Sequence, residues 1–262
     1  MQRLSHSITG SGSPLLLIHG MGSASTAWKL IQNELANSYK VVTVDLPGHG
    51  DTPLIKGQPM DPHSLALAVL SEMSELGIEE FHVVGNSLGG WVALEIASAS
   101  PERVMSVIGL APAGLWLNPY NVRYPATALA RFLARSTSKF APTALHFEAA
   151  RKLGFSDVSP RWHEFSYDLC LDAVNAMARA DGYYPAWDGM LMKRFDGKIP
   201  EDIPVTIIFG DSDRTLPATT CQERSIAPAH AKWIIFPDTG HAPMWDSPQD
   251  VIAAIRETVN SR

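Results

Sequence analysis

The sequence predicts an α/β protein: a mostly parallel central sheet with helices on both faces, interrupted once by a helical insertion. Three observations predict it. Short runs such as Leu15 to Ile18, Tyr39 to Val44 and Val104 to Leu110 are apolar on both faces, as strands of a sheet covered on both sides must be. Helical patterns alternate with these runs, and that order implies parallel strands joined by right-handed crossovers. Between Pro112 and Asp196 the alternation stops, no clear β run appears, and 14 of the chain's 22 aromatic residues are concentrated there. A shift of that size inside a short chain marks an insertion rather than more sheet.

Taken in order, Leu4 to Ile8 alternates weakly and reads as an edge strand, followed by a Gly/Ser/Pro turn over 9–14. The strand Leu15 to Ile18 ends at His19-Gly20-Met21-Gly22, and a helix is expected from about Ala27 to Leu35. The strand Tyr39 to Val44 runs into Asp45-Leu46-Pro47-Gly48-His49-Gly50, a loop punctuated by Gly and Pro. Asp61 or Ser64 caps a helix to about Leu76, with Gly77 where a helix ends. Phe81 to Val84 is a strand that passes through Gly85-Asn86-Ser87-Leu88-Gly89 straight into a helix to about Ser98.

In the insertion, helices are expected near 124–133, 141–153 and 160–179. The sheet resumes with Val205 to Phe209, a loop holding Asp211 and Asp213, and a helix over about 218–226. Lys232 to Phe236 is the last strand, followed by Pro237-Asp238-Thr239-Gly240-His241. A helix from Pro248 to Val259, with proline at an early position, closes the chain. The expected division is a core of residues 1–111 and 197–262 and a helical cap of residues 112–196.

With 262 residues, 45% of them hydrophobic, the chain suffices for one large core carrying a smaller insertion. A formal net charge of −6 argues against nucleic acid as a partner. No apolar run is long enough to span a bilayer, so no membrane partner is expected. The N-terminus has no secretion pattern, and Cys170 and Cys221 lie in unrelated contexts; free thiols in a cytoplasmic protein are the expectation. Nothing in these patterns separates a monomer from a homodimer.

The chemistry starts at Ser87. A serine between a strand and a helix, in a turn too tight for flanking side chains, has its hydroxyl held above the sheet near the positive helix end. Serine needs a base to take its proton, and the base needs an acid to orient it. Of the nine histidines, only His19 and His241 follow glycine-flanked strand ends, and His241 is the candidate base. Asp211 and Asp213 both stand at a strand end between serine and histidine, and spacing alone does not separate them. Asp238 reads as a turn former. The backbone N–H of Leu88, at the start of the helix, and that of Met21, in the first glycine loop, are placed to form an oxyanion hole. No histidine spacing looks like a ligand set, so neither metal nor cofactor is expected.

These motifs resemble those of the α/β-hydrolase superfamily over essentially the whole chain. The resemblance matches His19 to Gly22 to the oxyanion loop, Asp45 to Gly50 to the DxxGxG loop, Gly85 to Gly90 to the nucleophile elbow and His241 to the catalytic base. It selects Asp213 as the acid and implies that the insertion is the family's cap. It implies a carboxylesterase-like enzyme forming an acyl-enzyme on Ser87 with small, largely apolar esters.

Several alternatives share that plan. Gly-Asn-Ser-x-Gly-Gly resembles the C–C bond hydrolases of diketone acids, although those place tryptophan directly after the histidine, where this chain has Ala242 and then Trp245. Lactone and thioester hydrolases and a noncatalytic small-molecule receptor are built on the same fold. The candidates to line a substrate pocket are His19, Gly20, Asn86, Trp116, Tyr120, Tyr124, Phe132, Trp162 and Trp245. Arg131 and Arg135 share a helical face, either as a carboxylate site or as a solvated surface.

Overall fold

The computed structural model describes residues 2–123 and 125–261. Among them a seven-stranded sheet runs in the order β1-β3-β2-β4-β5-β6-β7. The strands are β1 (His6–Thr9), β2 (Ser13–Ile18), β3 (Tyr39–Val44), β4 (Phe81–Asn86), β5 (Val104–Leu110), β6 (Val205–Gly210) and β7 (Lys232–Phe236). All neighbours pair in parallel except β1, which pairs antiparallel with β3 at the edge. The predicted α/β class with a mostly parallel sheet and an inserted helical region is what the chain adopts.

Alternation along the strands divides the core into two layers. Leu16 and Ile18 of β2 and Val83 of β4 join one apolar cluster, with α2 (Pro62–Glu75) and α3 (Leu88–Ala99). Leu15, Leu17 and Val84 point the other way, onto α1 (Lys29–Leu35) and α11 (Pro248–Val259). Burial on both faces is why these strands read as continuous apolar runs. Asp61 caps α2 by accepting from the Ser64 N–H at 3.3 Å.

Between β5 and β6 lie α4 (Pro125–Thr137), α5 (Ala141–Ala144), α6 (Glu148–Phe155), α7 (Tyr167–Arg179) and α8 (Tyr183–Met190). Part of this region has its own small core around Leu145, Phe155, Phe165, Leu169 and Cys170. The helix expected over 141–153 is two helices, because Phe147 takes extended backbone and starts α6 afresh. The one expected over 160–179 begins only at Tyr167, where Ser166 accepts from the Leu169 N–H at 3.2 Å. α8 was not expected: Pro185 and Gly189 obscure its pattern, and Gly182, whose N–H donates to the Gly48 carbonyl at 2.8 Å, anchors its start. After β6, α9 (Ala218–Cys221) stops short of the expected 226, since the Glu223 N–H is drawn to the Leu115 carbonyl at 2.8 Å. A short α10 (Pro243–Asp246) precedes α11. No helix among the described residues is long and apolar enough to cross a membrane.

Candidate active site

Ser87 stands between β4 and α3 with φ 55° and ψ −117°, a backbone region that costs a non-glycine residue about 1–3 kcal/mol. The glycines beside it are forced by close approach of backbone. A Cβ on Gly85 would lie 2.0 Å from the Gly89 carbonyl oxygen, and one on Gly89 would lie 2.2 Å from that of Ile18. The sharp turn is thereby wedged between its own helix and the end of β2. Ser87 is also only half-buried, whereas its neighbours on both sides are buried.

His241 lies in the loop after β7 and donates from Nδ1 to Asp213 Oδ2 at 2.9 Å. That leaves Nε2 as the proton-accepting nitrogen of the neutral ring. Asp213 is buried, and its other oxygen accepts the Thr215 and Leu216 N–H groups at 2.9 and 2.8 Å. Burial alone pushes this carboxyl up, but the His241 charge and hydrogen bond, together with the two backbone donors, outweigh it and hold the net value below the usual range. Asp211, two residues earlier, is exposed and accepts from the neighbouring Ser212 hydroxyl. Asp238 sits at φ 47° in the turn after β7. The two aspartates that spacing left equal are therefore distinguished by where the loop turns.

Asn86 ties the two halves together. Its Nδ2 donates to the Leu110 carbonyl at 3.0 Å and to the His241 carbonyl at 3.1 Å, so the residue next to Ser87 holds the histidine loop. From the other side, the His241 N–H donates to the Val158 carbonyl of the insertion at 2.8 Å. Buried Asp246 accepts the Gly240 N–H at 2.7 Å and also the Ser159 hydroxyl. Burial is the largest influence on Asp246 and raises its pKa in spite of these bonds. Sequence reasoning missed Asp246 and Ser159, whose partners are brought together only by the fold.

The loop after β2 lies against Ser87: a Cβ on Gly20 would be 3.1 Å from Ser87 Cβ. Leu88 opens α3, and the first N–H groups of a helix have no intrahelical acceptor. Met21 is partly buried against the main core. His19 is fully buried, donating from Nδ1 to the Gly20 carbonyl at 2.7 Å and accepting the Leu46 N–H on Nε2 at 3.0 Å. Burial lowers its pKa, against the Gly20 bond and Asp45, which matches the neutral ring that accepting requires. Both ring nitrogens are engaged in bracing the two glycine loops. Asp45 completes the brace by accepting from the Ser25 N–H at 2.7 Å and the Asp51 N–H at 3.0 Å.

The aromatic pocket candidates are dispersed. Trp116 is buried, donates to the Lys193 carbonyl at 2.8 Å and stacks edge-on between Trp91 and Tyr120. Tyr120 meets Trp187 at 5.7 Å in the same stack. Phe132 is 62% exposed, on a face of α4 that points outward. Trp162 packs at the edge of the insertion's core. Trp245 donates to the Ala27 carbonyl at 2.9 Å and packs on Phe165, joining α10 to the insertion. Tyr124 lies outside the described residues. Among the described residues no group of three or more His, Cys, Asp or Glu side chains is arranged to hold a metal ion.

The profile of a family described as "Alpha/beta hydrolase family" matches residues 15–255, a span that holds every loop described above. The chain belongs to the alpha/beta hydrolase family. Among its relatives is the dihydrolipoyllysine-residue acetyltransferase component of the acetoin cleaving system of Cupriavidus necator. It is 29% identical over 95% of this chain, which spans only 64% of that protein's length. A pimeloyl-[acyl-carrier protein] methyl ester esterase of Aromatoleum aromaticum is 30% identical over 94% of this chain and 97% of its own. The solved carboxylesterase of Bacillus subtilis superposes with a TM-score of 0.75 at 15% identity, covering all of this chain and 89% of that one. At that identity the likeness is one of fold.

Proposed function

We propose that this chain is a serine hydrolase that cleaves carboxylic esters of small, largely apolar substrates through an acyl-enzyme on Ser87. The observation that carries the reading is the linkage of three loops. Asp213 orients His241 through Nδ1, and His241 is tied through its carbonyl to Asn86, the residue before the strained serine. In this reading His241 Nε2 takes the Ser87 proton as Oγ attacks the ester carbonyl. The N–H groups of Met21 and Leu88 receive the tetrahedral oxyanion. His241 then returns the proton to the departing alkoxide, leaving the acyl group on Ser87. Water, deprotonated by the same nitrogen, releases the acid and restores the serine.

Serine at the elbow supports acyl transfer, and the ester-cleaving relative of nearly equal length points the same way. We also assign residues 112–196 to a cap over this site, since Val158 and Ser159 hold the histidine loop and Met177 of α7 would meet a Cβ at Gly22 within 2.6 Å. The test is turnover of p-nitrophenyl acetate through octanoate by the wild type and by Ser87→Ala. The variant is expected to lose on the order of 10³-fold or more in kcat/KM while keeping its melting temperature. Equal turnover by the two proteins would overturn the assignment of Ser87. A much stronger preference for a vinylogous diketone acid would replace ester cleavage by C–C cleavage.

A further inference from the structure

α4 is an amphipathic helix mounted inside out. Leu129, Phe132 and Leu133 fall on one face, being three and four residues apart, and Arg131 falls on the opposite one. The cation is the buried side: Arg131 is 2% exposed and donates to the Ala178 and Ala180 carbonyls at 2.8 and 3.1 Å, at the negative end of α7. The apolar side is the exposed one, with Leu129 57%, Phe132 62% and Leu133 42% exposed. α4 packs against α7 on the side that carries Arg131, and its apolar face is turned away from that contact.

The chain continues in the same way. Phe140 is 60% exposed with Lys139 over its ring at 4.9 Å, and Leu153 is 83% exposed beside exposed Lys152. From Pro125 to Phe155 there are five Lys and Arg residues and one acidic residue, Glu148, in a chain whose net charge is −6. Exposed aromatic and leucine side chains rimmed by cations are the composition of a helix that lies in the plane of a membrane interface. The same charge argues against a second copy, because an isologous contact would bring two equally cationic patches together.

We propose that the outer face of α4 and the turn after it dock on an anionic phospholipid surface, the apolar side chains entering the headgroup region and Lys139 meeting lipid phosphates, while Arg135 stays on the Arg131 side paired with Asp181. This contact is peripheral and needs no spanning helix; it also does not depend on the chemistry at Ser87. It departs from the expectation that the protein has no membrane partner, which rested on the lack of a spanning run.

The test is co-sedimentation of the full chain with vesicles of phosphatidylcholine alone and of phosphatidylcholine mixed with phosphatidylglycerol. Binding to the mixed vesicles is expected to exceed binding to the neutral ones by about tenfold at low salt and to fall as salt is added. Leu129→Gln with Leu133→Gln is expected to weaken partitioning about tenfold. Lys139→Gln is expected to weaken the preference for phosphatidylglycerol. Both variants should keep the wild-type melting temperature and turnover of a soluble p-nitrophenyl ester. Failure of the wild type to sediment with either vesicle, or equal partitioning by the Leu variant, overturns the proposal. So does a wild-type dimer that the Leu variant converts to monomer without any vesicle binding, which would make a second copy the occupant.

Discussion

The elbow around Ser87 and the outer helices of the insertion tolerate change for opposite physical reasons. At the elbow, backbone meets backbone: Gly85 and Gly89 have carbonyl oxygens 2.0 and 2.2 Å from where a Cβ would sit. In α6, a Cβ on Gly154 would meet nothing within 4 Å, and neighbouring Leu153 is 83% exposed. A carbonyl carried by a strand or helix cannot move aside as a side-chain end can, so the first region accepts only one residue type. The second rests on its support along one face and leaves the other face to solvent or to a partner. Constraint in this fold therefore follows the density of backbone contact, and it is greatest where the candidate nucleophile is held.

The most direct way to break that contrast is Gly89→Ala. Relief requires α3 to move away from β2, so the expected loss of stability is on the order of 4 kcal/mol or more, reported as insoluble or unfolded protein. A soluble Gly89→Ala variant with native melting would mean that the elbow is held less tightly than its distances imply.

The same contrast explains what was legible in the sequence. β3 and α11 lie where their apolar runs place them, because a strand buried on both faces and a helix opened by proline leave few alternatives, and β7 also lies where it was expected although it is a half-exposed edge strand. The candidates Ser87, Asp213 and His241 were picked out at strand ends, although spacing alone left Asp211 equal to Asp213; only the fold shows which aspartate turns inward to meet His241 at 2.9 Å. Asp246 was not legible, since its partners Gly240 and Ser159 are 6 and 87 residues away and no local pattern announces them. The insertion was read worst. Its aromatic residues suggested a pocket, but Phe132 faces outward and Trp116 belongs to an edge-on aromatic stack. Composition cannot tell an outward apolar face from an inward one.

A smaller effect sharpens the contrast within the core half. His49 is fully buried beside His19, with ring centroids 5.4 Å apart, and its Nδ1 donates to the Pro47 carbonyl at 3.0 Å. Its Nε2 has no partner among the described residues. Burial first, and then the neighbouring His19, push its pKa down to about 3. The unfolded chain takes up a proton on this ring near pH 6.5 and the folded chain does not, so stability is retained above that value and lost as pH falls below it. Between pH 8 and 5 the loss from this group is about 2 kcal/mol. His49→Phe should flatten that limb in melting curves taken across the range. An unchanged limb would assign the acid sensitivity to other groups.

The smallest effect has the opposite sign and tests the insertion. Gly154 lies in the last turn of α6, exposed and with open space where a methyl group would go. Alanine there loses less backbone entropy on folding and meets no neighbour, so Gly154→Ala should raise stability by about 0.5–1 kcal/mol. In a chain of this size that is a rise of about 1–4 °C in melting temperature. Ester turnover should not change, because Gly154 is on the open face of α6, away from Phe155, Val158 and Ser159, which link this segment to the His241 loop. A fall in stability would reveal a contact on that face and bring the insertion closer to the elbow in kind. A rise in stability with a fall in turnover would be more informative, since it would mean that motion of α6 reaches His241 through Val158.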